Sequence, residues 1–272
     1  MSELAGIGKS YRAKLSSVLE QHSGVLTPKS VANVLHVSGQ ESGRLLARWN
    51  SNGWVHRIKR GVYIAVPLSS TSPEPVLEEP YLVAEAIYAP GYVGGFSAVQ
   101  YWDFTDQIIE TITYITLKKV KSRDITHGGV RYRLKTVTPK KLFGLKSIWI
   151  GSKKVHISDP TKTIVDLLDD PGLVGGMTVV RDIFSEYLES HHYNFDLILG
   201  YIDKIGNRSV NKRLGFLLDT CFAVSNDELQ ILQDRMSEGY TKFDPKSHSP
   251  YTIAKWRLRT SQSWRDLYDR KK

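Results

Sequence analysis

Gln40, Arg44 and Arg48 recur at four-residue intervals, and Arg57, Lys59 and Arg60 cluster shortly after them. The first spacing puts an amide and two guanidiniums on one stripe of a helix. Such groups match the donor and acceptor pattern of base edges in a major groove. The second cluster suits phosphates or a minor groove. Duplex DNA is the partner these residue types favour, with Gln40 and Arg44 assigned to base edges and Arg48, Arg57, Lys59 and Arg60 to phosphates. The competing reading is a solvated helix face on a module used for protein contacts.

Residues for bond chemistry are sparse. Gly95-Phe96-Ser97-Ala98-Val99 begins like a nucleophile elbow but lacks the second glycine, and a serine near a helix start explains it better. Gly151-Ser152 followed by Asp159 hints at nucleotidyl transfer without the paired carboxylates that would hold magnesium. Asp159-Pro160-Thr161-Lys162 resembles a fragment of a nuclease metal site only superficially, because Asp159 before Pro160 is a natural helix cap. Asp166, Asp169 and Asp170 read as the polar side of a helix, and His191-His192 as a solvated pair lacking ligands at zinc spacing. There is no glycine-rich phosphate loop or dinucleotide fingerprint. The single cysteine, Cys221, sits among Leu217, Leu218 and Phe222 and reads as a small buried hydrophobe. These residues describe a non-enzyme, with no metal and no cofactor expected.

Two helices and a hairpin must position the DNA-directed groups. Thr27-Pro28 joins an N-cap residue to a proline at the first helical position, where its missing N–H costs nothing. That helix would bury Val31, Val34 and Leu35 and stop near Val37. Ser38-Gly39-Gln40-Glu41 reads as a capping box opening a second helix. Leu45, Leu46 and Trp49 form its apolar face, away from the Gln40, Arg44 and Arg48 stripe. Gly43 and Ala47 leave room for close approach. Residues 54–58 and 62–66 read as strands around Lys59-Arg60-Gly61, with Gly61 supplying positive φ. An upstream helix over 10–22 offers Leu15, Val18 and Leu19 to a three-helix core. This order predicts a winged helix-turn-helix over 1–66.

Charge agrees with that partner. Residues 1–66 hold nine basic and three acidic side chains, leaving +6, and the whole chain of 272 residues carries +9. The hydrophobic content of 41% suffices for more than one core. No apolar run approaches membrane-spanning length and no signal-peptide core stands at the N-terminus, so a cytoplasmic location with no membrane partner is expected.

Residues 67–80, rich in proline, hydroxyl and acidic side chains, read as an extended linker. A larger mixed α+β domain is expected over 81–272, making the whole chain α+β. Residues 82–88 and 96–102 read as helices, and 111–117, 130–137, 147–150 and 154–157 as strands of an antiparallel sheet, with turns at His127-Gly128-Gly129 and Gly151-Ser152. Asp159 caps a further helix carrying Ile164, Val165, Leu167 and Leu168, and a helical end follows over 177–189, 195–205, 209–223 and 227–236. The last residues form a basic tail, Arg270-Lys271-Lys272.

Four blocks in order give the chain a resemblance. NGWVHRIKRGVY at 52–63, AEAIYAPGYVGGFSAVQYW at 84–102, ISDPTKTIVDLL at 157–168 and NKRLGFLL at 211–218 together resemble the AbiEi antitoxins, transcriptional regulators of type IV abortive-infection toxin–antitoxin systems. The resemblance covers most of the chain. It implies an N-terminal domain that binds inverted repeats in its own promoter and represses it. It also implies a C-terminal domain that counteracts a nucleotidyltransferase-like toxin, directly or indirectly. The glycines and apolar residues of these blocks read as fold determinants. Lys212 and Arg213 are left open among contact with DNA, with the toxin or its nucleic-acid substrate, and with water. Two other functions stay in view: a stand-alone winged-helix regulator with a ligand-sensing C-terminal domain, and a nuclease or other enzyme targeted by a winged helix.

Overall fold

The computed structural model of the protein describes residues 9–21, 24–66, 79–151 and 153–271. Most of the expected linker, 67–78, lies outside the described residues, as do His22, Ser152 and Lys272. The described residues form two compact units, and both are mixed α+β. Unit 1 lies within Met1–Val93, Glu110–Val137 and Ser147–Ile157; unit 2 lies within Gly94–Ile109, Thr138–Lys146 and Ser158–Lys272.

Unit 1 opens with α1 (Lys9–Gln21), β1 (Val25–Leu26), α2 (Pro28–Leu35), α3 (Gly39–Ser51), β2 (Val55–Lys59) and β3 (Val62–Ala65). Local chemistry sets these boundaries. Thr27 caps α2, and its partner in a complete capping box is Ser30, whose hydroxyl accepts the Thr27 N–H at 2.8 Å. Leu35 ends α2 two residues before the expected stop, because His36 turns left-handed with φ 54°. Ser38 caps α3 by accepting the Glu41 N–H at 3.1 Å. The return bond from the Glu41 side chain is not formed, so this cap is half a box. Leu15, Val18, Leu26, Val31, Leu45, Leu46, Trp49, Val55 and Tyr63 close one core. β1 pairs with β3, adding a strand that its two-residue length hid from the sequence.

The rest of unit 1 is a sheet on a helix. α4 (Pro80–Tyr88) leads into β4 (Gly91–Val93); β5 (Ile112–Thr116), β6 (Asp124–His127), β7 (Val130–Thr136), β8 (Leu145–Ile150) and β9 (Lys153–Ser158) complete six strands in the order β6-β7-β5-β4-β9-β8. The expected antiparallel sheet is in fact mixed: β5 runs parallel to β7, and β4 parallel to β9. The β6–β7 hairpin turns where expected, at Gly128 and Gly129, both with positive φ. α4 packs on β5, and also on β1 and β3 of the N-terminal module.

Unit 2 contains α5 (Gly95–Tyr101), α6 (Pro160–Asp169), α7 (Met177–Glu189), α8 (Phe195–Ile205), α9 (Ser209–Cys221) and α10 (Asn226–Asp234). A small sheet of β10 (Thr241–Lys242), β11 (Tyr251–Ile253) and β12 (Leu258–Thr260) precedes α11 (Gln262–Lys271), where a purely helical end was expected. α6 is central, packed by α5, α7, α8 and α9. Asp159 caps it as expected, accepting the Lys162 N–H at 2.7 Å. Asp166 is not on a solvated side. It is buried and paired with Lys162, which has no exposed surface, while Asp169 pairs with Lys141 and accepts from Asn207 at 2.9 Å. Among the described residues no helix is long and apolar enough to cross a membrane.

Candidate nucleic-acid interface

α3 is split by its own periodicity. Ser42, Leu45, Leu46 and Trp49 face the core, while Gln40, Arg44, Ala47 and Arg48 are exposed on the other side. The apolar half holds the helix in place, leaving the polar half outward. Glu41 is the single acidic side chain of this helix.

Each of the six expected residues is exposed, and they differ in how they are held. Arg48 stacks its guanidinium 4.2 Å from the centroid of the Tyr11 ring of α1. A cation over a ring at the surface gains about 0.5–1 kcal/mol, enough to bias one rotamer. Tyr11 escaped the sequence reading because a lone tyrosine in a polar helix carries no signal. Asn50, at the end of α3, accepts the Arg57 backbone N–H at 2.9 Å and so ties the helix to the hairpin. The β2–β3 register shifts between Arg57 and Lys59, a bulge that re-aims the strand end, and Gly61 turns the chain with φ +78°. Among the described residues, Arg44, Arg57 and Arg60 have side chains with no hydrogen bond or ion pair, so their donors are available.

Lys59 leans differently. Its ammonium lies 5.7 Å from the Tyr88 ring centroid, at the end of α4. Tyr88 in turn bonds His127 Nε2 at 2.7 Å. Burial, and secondarily the Lys59 charge, holds the His127 pKa below its ordinary value.

Lys212 and Arg213 belong to the interior of unit 2. Arg213 donates to the carbonyls of Leu168 at 2.8 Å, Asp169 at 3.1 Å, Phe243 at 3.1 Å and Lys242 at 3.3 Å, and Lys212 donates to the Gly239 carbonyl. Burial lowers the pKa of both groups. The contacts left open in the sequence need exposure that these side chains lack. They act as internal ties between α9, the end of α6 and the small sheet.

Other candidates from the sequence have structural occupations. Ser97 is fully buried in α5, and Asp159, besides its cap, accepts the Tyr201 hydroxyl at 2.7 Å. The His191 and His192 rings lie 3.8 Å apart, tilted to one another, with His192 edge-on to Trp102. Among the described residues no group of three or more His, Cys, Asp or Glu side chains is placed to hold a metal.

Charge divides sharply between the units. Unit 1 contains 18 basic and 9 acidic residues, whereas unit 2 contains 19 of each. The whole net charge therefore resides on the unit that carries α3 and the hairpin.

No family model matches the chain, and no curated protein matches it. Among solved structures, it is similar to the crystal structure of the RV2827C protein from Mycobacterium tuberculosis, with a TM-score of 0.61 and 15% identity over 93% of this chain and 92% of that one. At that identity the likeness is one of fold, a mixed α+β architecture spanning nearly both chains.

Proposed function

We propose that the N-terminal module of unit 1 is a winged helix-turn-helix, with α3 as recognition helix and the β2–β3 hairpin as wing, and that it binds duplex DNA. The observation that carries this reading is the outward stripe of Gln40, Arg44 and Arg48 set against a fully packed apolar face. Gln40 and Arg44 read base edges. Arg48, braced on Tyr11, grips phosphate with Arg57 and Arg60, and Lys59 adds its field from beside Tyr88. The concentration of net charge on unit 1 supports the same partner.

The four sequence blocks that resemble AbiEi antitoxins support a second role for the chain. It represses its own operon and counteracts a nucleotidyltransferase-like toxin encoded beside it. It works by contact and not by catalysis, in the cytoplasm.

One experiment covers both roles. A strain expressing the neighbouring gene product receives the wild-type chain or Arg44→Ala, and growth and promoter activity are both recorded. The expected result is growth rescue by both chains. Promoter repression should be lost only with Arg44→Ala, whose binding weakens by about 1–3 kcal/mol at one base pair. Failure of the wild type to rescue growth contradicts the antitoxin role. Full repression by Arg44→Ala contradicts the assignment of α3.

A further inference from the structure

Unit 1 carries a second basic surface, remote in sequence from α3. Its sheet segments, 110–137 and 147–157, hold nine basic residues against two acidic ones. Topology gathers many of them at one end. β4 is antiparallel to β5, β7 is parallel to β5, and β9 is parallel to β4. The C-terminal ends of β5 and β7 and the N-terminal ends of β4 and β9 therefore coincide. Lys118, Lys119 and Lys121 follow β5, Lys135 is near the end of β7, and Lys153 and Lys154 begin β9. Lys118 donates to the Ile87 carbonyl at 2.9 Å, which fixes this end beside the α4 terminus. Among the described residues, the side chains of Lys119, Lys121, Lys153 and Lys154 have no hydrogen bond or ion pair.

An exposed indole stands at the same end. Trp149, near the C-terminal end of the edge strand β8, is 70% exposed. A tryptophan that open is unusual, since its ring is among the most costly surfaces to leave in water. Lys154 is exposed on the adjoining strand β9. A second copy of the chain would bring lysines against lysines here, so charge disfavours self-association. Duplex DNA hides its base faces from a ring. A single strand offers both an unpaired base for the indole and phosphates for the ammonium groups. Loops and ends with unpaired bases are the parts of RNA that proteins most often recognise.

We infer that this end of the sheet binds an unpaired stretch of RNA, with one base stacked on Trp149 and the neighbouring phosphates held by Lys153, Lys154, Lys119 and Lys121. The residues of this surface lie on other elements of unit 1 than α3, and their chemistry does not depend on the duplex reading.

The test measures fluorescence anisotropy of a labelled unstructured RNA 12-mer with the full chain, beside a DNA 12-mer and a DNA duplex. Trp149→Ala should weaken RNA binding about 5- to 150-fold, Trp149→Phe should restore most of it, and duplex affinity should stay constant. A Lys153→Gln/Lys154→Gln pair should flatten the RNA salt dependence by about one unit of slope. Arg44→Ala should leave RNA binding intact, which separates this surface from α3. A DNA 12-mer bound more tightly than the RNA 12-mer overturns the choice of RNA. The inference is overturned if Trp149→Ala binds RNA as the wild type does, if the wild type binds no RNA, or if RNA and duplex affinities fall together. It is also overturned if Trp149→Ala only changes oligomeric state by sedimentation.

Discussion

At the scale of single residues, side-chain type and side-chain role part company in instructive ways. Lys59 was assigned to phosphate beside Arg57 and Arg60, yet its ammonium lies by Tyr88 and acts on His127. The imidazole accepts from or donates to the Tyr88 hydroxyl and lies 5.7 Å from the Tyr132 ring. Its folded pKa is lowered while the unfolded chain keeps the ordinary 6.5. The neutral form is therefore the folded form. Above 6.5 both states are neutral; as pH falls through 6.5 the unfolded state takes up a proton first, and stability is lost. Thermal melts at pH 7.5 and 5.5 should show a larger drop for the wild type than for His127→Gln, which keeps a polar partner for Tyr88. An equal or larger drop in His127→Gln contradicts this. Nothing in the sequence around His127, a turn of His-Gly-Gly, reveals the lysine 68 positions earlier that faces it. Lys162, Asp166 and Arg213 carry the same lesson, because charged side chains look like surface until packing encloses them.

Elements defined by local chemistry were legible in advance. The caps Thr27, Ser38 and Asp159 open α2, α3 and α6, and the apolar periodicity of α7 and α8 gives their full extents. Elements defined by distant partners were not. β4 falls in the gap between the expected helices 82–88 and 96–102, and it contains Gly91, whose missing side chain is what lets β5 approach, since a Cβ there would run into the Ile115 carbonyl oxygen. The parallel pairs β4–β9 and β5–β7 leave no turn signal at all. Gly215 in α9 makes a comparable demand. Its Cβ would occupy the Trp256 ring, which is fully buried and anchored through Nε1 to Asp219 at 2.7 Å. Gly215→Ala should thus lower unfolding stability by about 1–3 kcal/mol in urea despite the helix preference for alanine. An unchanged or raised midpoint contradicts the packing of α9 on the 3-10 turn Ala254–Trp256.

For the whole molecule, the decisive property is how charge is apportioned. Unit 2 is neutral in sum and ties itself together with internal ion pairs, whereas the surplus cations of unit 1 are largely exposed. Such a unit should meet a polyanion fast and release counterions on binding. The most direct measurement is the affinity of the full chain for a duplex from its own promoter across a range of salt. With Arg48, Arg57 and Arg60 at phosphates and Lys59 adding its field from beside Tyr88, log affinity should fall with log salt at a slope of about −3 to −4. Arg57→Ala/Arg60→Ala should flatten that slope by about two units. A flat dependence for the wild type, or the same slope in the double variant, would contradict duplex binding through α3 and its hairpin.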